Sequence, residues 1–142
     1  SFSVNSQDAG PTSMWFNPDG TKMYITGYAT DTVYQYSLST GFDLSTASYD
    51  SVSFSVGSQD GYPYGIAFNP AGTKMYIMGN NNDTVYQYSL STGFDLSTAS
   101  YDSVSFSVSG QDSTPFGIAF NSSGTKMYIV GWSNKSIFQY SV

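Results

Sequence analysis

The chain copies itself. Gly20-Thr21-Lys22-Met23-Tyr24-Ile25 returns at Gly72–Ile77 and again at Gly124–Ile129, 52 residues on each time. Phe2-Ser3-Val4 returns at Phe54 and Phe106, and Ser39–Val56 is identical to Ser91–Val108. Tyr34-Gln35-Tyr36-Ser37 returns at Tyr86 and, altered, as Phe138-Gln139-Tyr140-Ser141. A repeat of this length is one supersecondary unit that cannot bury its apolar surface alone, so the units must pack on one another, in a row or in a ring.

Each unit holds four short β-like runs, named A to D here in the middle copy. Run A, Gly65–Phe68, ends in Asn69-Pro70-Ala71-Gly72, a type I turn signal in which Asn opens, Pro presets φ and Gly closes. Run B, Lys74–Met78, is followed by the polar loop Gly79–Asp83, and run C spans Thr84–Leu90. A longer connection, Ser91–Tyr101, contains Asp95, placed to cap one helical turn. Run D, Val104–Val108, alternates apolar residues with Ser, as a half-exposed outer strand does. Runs A and B are apolar at nearly every position, which fits strands covered on both faces. Ser, Thr, Tyr, Phe, Val and Gly dominate, while the helix formers Glu and Arg are absent. The expectation is an all-β chain, and a β-propeller of four-stranded blades rather than a β-solenoid, whose repeats are usually shorter.

The run Pro63-Tyr64-Gly65-Ile66-Ala67-Phe68-Asn69-Pro70-Ala71-Gly72-Thr73-Lys74-Met75-Tyr76-Ile77, followed by Asp83-Thr84-Val85-Tyr86, resembles the YVTN/lactonase-like propeller repeat of bacterial and phage proteins. The first copy carries the turn as Asn17-Pro18-Asp19-Gly20; the third departs to Asn121-Ser122-Ser123-Gly124. The resemblance covers the whole chain and implies the fold. Such propellers serve as enzymes, binding platforms and structural parts alike, so it is nearly silent on function.

Along the chain the order is D, A-B-C-D, A-B-C-D, A-B-C. Residues 1–5 read as an outer strand completing a partner's last blade, 13–56 as blade 1, 65–108 as blade 2, and 117–142 as blade 3 lacking its outer strand. Propellers typically close at four to eight blades, so three would leave two blade faces open. Two copies would close a six-bladed ring as a homodimer, whereas three would give nine blades. The alternative is a piece of a longer single-chain propeller.

Composition bounds the chemistry. There is no His, Cys, Glu or Arg; the ten acids are all Asp and the four bases all Lys. The usual zinc ligand sets and Ser-His-Asp or Cys-His machinery are therefore missing, and the lactonase members' hydrolase chemistry has no residue set to map onto. A net charge of −6 without Arg disfavours nucleic acid. No run approaches the roughly eighteen apolar residues of a membrane span. No cofactor is implied.

The copies differ mainly in the D–A connections (Ala9–Trp15, Gly61–Tyr64, Ser113–Phe116) and the B–C loops (Tyr28–Thr30, Asn80–Asn82, Trp132–Lys135). In an up-and-down blade these loops emerge on one side. Their aromatics and amides, Trp15, Tyr28, Tyr62, Tyr64, Phe116 and Trp132 with Asn80, Asn81, Asn82 and Asn134, suit a neutral glycan: rings cover sugar C–H faces and amides read hydroxyls. Trp15 replaces Ala67 and Ala119 within run A, so core packing is a second reading for it. Asp8, Asp60 and Asp112 recur just after run D and would ring one rim, where a hard cation takes oxygen ligands; an Asx-type turn holding the loop is the stronger reading. Lys22, Lys74 and Lys126 read as solvated edge charges. The first expectation is a non-enzymatic, self-assembling scaffold; a carbohydrate-binding module is the alternative, and a divergent hydrolase working with Asp alone is less favoured.

Overall fold

In the computed structural model, which describes residues 1–142, the A–B turn is built the same way three times. Gly20, Gly72 and Gly124 take φ of 72°, 69° and 71°, a conformation that costs a residue with a Cβ. Their N–H groups donate to the carbonyls of Asn17, Asn69 and Asn121 at 3.0, 2.9 and 3.0 Å. The same asparagines accept from the amides of Lys22, Lys74 and Lys126 at 2.8, 3.0 and 2.9 Å. The third turn closes without proline because the Asn oxygen and the glycine suffice.

These turns join eleven strands. β1 (Pro11–Phe16), β2 (Lys22–Gly27), β3 (Thr32–Leu38) and β4 (Ala47–Ser55) form one antiparallel sheet in that order. β5 (Pro63–Phe68), β6 (Lys74–Gly79), β7 (Thr84–Leu90) and β8 (Ala99–Ser107) form the second. β9 (Pro115–Phe120), β10 (Lys126–Gly131) and β11 (Ser136–Ser141) form a third with three strands. β1, β5 and β9 lie side by side as the inner strands. Between runs C and D, Leu44–Thr46 and Leu96–Thr98 each make one helical turn, capped by Asp43 and Asp95, which accept from the amides of Ser45 and Ser97 at 3.0 Å.

Two expectations need correction. The outer strands are longer than run D: Ala47–Tyr49 and Ala99–Tyr101 also pair, and a bulge at Asp50-Ser51 and Asp102-Ser103 interrupts the alternation that sequence patterning reads. The bulged Ser51 and Ser103 sit at φ 58°. The bulge also aims Asp50 and Asp102 at Lys22 and Lys74, with Nζ–O distances of 2.8 and 2.7 Å. Those lysines are therefore paired on an interior strand of the sheet and are not solvated edge charges. Lys126, whose sheet has no outer strand, reaches Ser141 alone.

Phe2–Val4 forms no strand in the isolated chain. It nevertheless lies where an outer strand of a preceding blade would lie. Phe2 meets Tyr36 edge-on at 5.5 Å, as Phe54 meets Tyr88 at 5.5 Å and Phe106 meets Tyr140 at 5.1 Å. The Tyr36 hydroxyl donates to Gln7 at 3.3 Å, and Tyr88 to Gln59 at 3.3 Å.

The core lies between sheets. One cluster joins sheets one and two through Tyr24, Val33, Ile66, Phe68, Met75, Ile77 and Leu96. A smaller one joins two and three through Met78, Val85, Met127 and Ile129. A third, Met23, Ile25, Tyr36 and Leu38, faces away from sheet two and is covered only by Phe2, Val4 and side chains of its own blade. On the far face of the third sheet, Val130 and Ile137 are exposed, Ile137 at 74%. In the repeat frame these two stand where Thr26 and Val33, both fully buried, stand in the first sheet.

Candidate functional site

Three buried aspartates build one face of the molecule. Asp8, Asp60 and Asp112 are each 1–2% exposed. Asp8 accepts from the amides of Gly10 at 2.7 Å and Thr30 at 3.1 Å, and from the Thr30 hydroxyl at 2.6 Å. Asp60 accepts from the amides of Tyr62 (2.8 Å), Asn81 (3.2 Å) and Asn82 (2.9 Å). Asp112 accepts from Thr114 (2.8 Å), Ser133 (3.3 Å) and Asn134 (2.7 Å). Each carboxylate thus staples a D–A connection to a B–C loop of its own blade. Gly27, Gly79 and Gly131 let the carboxylates approach, since a Cβ there would collide with them. Burial works against the Asp112 charge, but the backbone amides outweigh it and hold the carboxyl below its usual range. The carboxylates are spent on backbone donors, and no three acidic side chains converge on a common point.

The staples place the loops on one side, and five of the six aromatic candidates meet there. Tyr28 stacks on Tyr62 at 6.1 Å, Tyr62 meets Tyr64 at 6.4 Å, Tyr64 stacks on Phe116 at 4.9 Å, and Phe116 meets Trp132 at 6.2 Å. The rings form a continuous ladder across all three blades. Tyr28, Tyr62, Phe116 and Trp132 are exposed, Trp132 at 67%. Lys135 lies over Trp132 at 5.5 Å, a contact that matching between copies did not single out. Beside the ladder, the hydroxyls of Ser113, Thr114 and Ser133 cluster at 2.9–3.1 Å.

Trp15 is elsewhere. It packs into the core cluster between sheets one and two, stacked on Phe94 at 5.9 Å and tilted against Phe68 at 4.8 Å. Run A alternates, and Trp15 points to the adjoining blade. Its uniqueness among the copies reflects packing, which resolves its two readings in favour of the core. The amides also differ in what they offer. Asn80 donates to the Pro115 carbonyl at 3.2 Å, and Asn82 to the Gln59 carbonyl and the Tyr86 hydroxyl, both at 3.1 Å. Asn134 donates to the Gln111 carbonyl. These three brace loops and blades. Asn81 is exposed, and its side chain makes no hydrogen bond within the chain.

At the base of two B–C loops, Asp31 and Asp83 take φ of 52° and 49°, and each leaves one buried carboxylate oxygen without a partner. Burial first, and the neighbouring aspartates second, push both carboxyls above the usual range.

No protein-family model matches the chain, and no curated protein matches it in sequence. Solved structures do. A putative 6-phosphogluconolactonase from Bacteroides fragilis superposes with TM-score 0.69 at 14% identity, over 92% of this chain and 34% of its own. A second, from Bacteroides uniformis, gives 0.68 at 16% identity, over 100% of this chain and 40% of its own. The Cps50 (Swd1) β-propeller domain of Myceliophteria thermophila gives 0.65 at 13% identity, over 93% and 40%. At these identities the likeness is one of fold: the sheets are β-propeller blades, as the sequence resemblance implied. The chain spans well under half the length of the structures it matches.

Proposed function

We propose that the chain is a non-enzymatic half-propeller that closes with a second copy into a six-bladed ring. The observation that carries this reading is the pair of open faces, which repeat the two sides of the joints already formed inside the chain. Sheets one and two meet through Tyr24 and Val33 on one side and Phe68, Met75 and Ile77 on the other. The free face of the third blade presents Tyr128 and Ile137, and that of the first presents Phe16, Met23 and Ile25, at the same repeat positions. The helical-turn connection supports the same joint. Within the chain, the Phe94 carbonyl accepts from Tyr24 at 2.5 Å, and the Leu96 amide donates to Gln35 at 2.8 Å. Its twin, Phe42–Leu44, is exposed; in the ring it meets the partner's Tyr128 and the partner's Gln139. Sedimentation tests this: a species of twice the 15.4 kDa chain mass is expected, and a stable folded monomer overturns it.

The aromatic ladder favours a second reading, in which the ring carries a carbohydrate-binding face. Exposed rings beside the Ser113, Thr114 and Ser133 hydroxyls and the free Asn81 amide can cover a sugar's C–H face and bond its hydroxyls. Calorimetry with a glycan panel is expected to show binding that Trp132→Ala abolishes; no binding at millimolar sugar removes this reading and leaves the scaffold. The gluconolactonase names of the matched structures are not carried over to this chain, which has no His, Glu or Arg and whose Asp8, Asp60 and Asp112 carboxylates are occupied by backbone amides.

A further inference from the structure

Between blades 2 and 3 lies a cavity of about 240 Å³ lined by Tyr76, Val85, Gln87, Val104, Phe106 and Met127, among others. The matching positions one repeat earlier are Tyr24, Val33, Gln35, Val52, Phe54 and Met75. There the space is filled: Leu96 is buried in the core cluster that those side chains form or flank. The Tyr24 hydroxyl donates to the Phe94 carbonyl, and the Gln35 carbonyl accepts from the Leu96 amide. In the blade 2–blade 3 groove both polar groups are present and idle. Gln87 uses its amide nitrogen on Asp102 at 2.8 Å, exactly as Gln35 uses its own on Asp50, but its oxygen has no partner within the chain. The Tyr76 hydroxyl has none either, and burial has already raised its pKa. The seat of the phenyl ring is also open. The rings of Phe42 and Phe94 cover Gly20 and Gly72, whereas the nearest atoms over Gly124 belong to Pro70.

We propose that this groove is a docking site for a Gly-Phe-Asp-Leu-Ser helical-turn peptide, a further copy of the chain's own C–D connection. The groove is continuous with the blade 2–blade 3 interface, and the equivalent groove at the blade 1–blade 2 interface holds that segment. The leucine enters the apolar cavity, its amide donates to Gln87, and the phenylalanine carbonyl accepts from Tyr76. The ring lies over Gly124 against Phe120. One stacking partner is lost, because Ala67 stands where Trp15 stacks on Phe94. A free peptide gives up more conformational entropy than a tethered one, so binding is weaker than the internal joint. The site does not depend on ring closure, since both walls belong to one chain.

The test uses a synthetic peptide with the sequence of Ser91–Val104, titrated into the whole chain by calorimetry. Saturable binding that depends on Tyr76, with a raised Tm, is expected. Replacing the peptide's phenylalanine by alanine abolishes it. Tyr76→Phe, checked by circular dichroism for an unchanged fold, weakens it about tenfold, and the same change at Tyr34, outside the groove, leaves it unchanged. Absence of binding at millimolar peptide overturns the proposal, and so does binding that Tyr128→Phe weakens and Tyr76→Phe does not, which would place the peptide on the open face of blade 3. Because these readouts do not follow sedimentation, their failure is distinct from failure of the dimer.

Discussion

Asp83 shows how one residue type carries opposite duties in this molecule. Asp8, Asp60 and Asp112 spend their charge on backbone donors, whereas Asp83 holds a positive φ with a buried, unpartnered oxygen. Asparagine tolerates that backbone conformation and carries no charge to bury. Asp83→Asn is therefore expected to stabilise the fold by about 0.5–1 kcal/mol at pH 7. The sign with pH follows from the raised carboxyl. A folded pKa above the unfolded value of about 3.9 costs stability only once the group ionises, so the variant's advantage grows as pH rises through the folded value. It vanishes below the unfolded one; urea melts across that range check it. Trp15 gives a second residue-scale expectation. It packs against Tyr24, Phe68 and Phe94, so Trp15→Ala should cost about 3 kcal/mol in a denaturant melt while leaving any glycan binding intact. From sequence, Trp15 looked like its variable neighbours because uniqueness among copies cannot separate a loop contact from a packing substitution.

Among the elements, the outer strand shows what patterning can and cannot read. β7 has the bounds that its apolar run predicts, since its residues alternate without interruption between two covered faces. β8 begins at Ala99, well before the alternating Ser–apolar run, because the bulge at Ser103 shifts the side-chain phase. The same bulge delivers Asp102 to Lys74, Gln87 and Ser89. Burial opposes the Asp102 charge, yet these bonds outweigh it and hold its carboxyl below the ordinary range. The pH sign is opposite to that of Asp83. A depressed folded pKa gives stability that is present above about 3.9 and lost as pH falls through the folded value. Asp102→Asn is expected to destabilise by about 1 kcal/mol at pH 7, a difference that closes on acidification in the same urea melts.

For the whole molecule, the repeat and its arithmetic made the blades legible, because a period fixes which residues share a face before any coordinate is known. The ladder was legible in part: loop sidedness follows from strand count, but the order of ring contacts depends on how tightly the Asp staples draw each loop in. The vacant groove was legible only as a count, three Tyr–Gln seats for two Phe-Asp-Leu connections; which seat stays open depends on the blade each connection packs against, and that is a matter of three-dimensional packing. The open faces give the prediction at this scale. Ile137 is exposed in the isolated chain, so Ile137→Asp leaves the monomer fold intact by circular dichroism. Buried against a partner it would strand a charge, and sedimentation is expected to show the variant as a monomer under conditions where the native chain is expected to run as a dimer.

The joint between blades 1 and 2 is specified locally, by a tyrosine, a glutamine and a Phe-Asp-Leu connection, and the tyrosine and glutamine recur in every unit. Inheritance can act on such a joint by copying alone. A duplication of one unit's coding length would arrive with both of its contact surfaces already matched to its neighbours, and a deletion would leave a matched pair behind. The number of blades per gene can therefore change in single steps without a round of compensating point mutations, and the near-identity of the copies preserves that freedom.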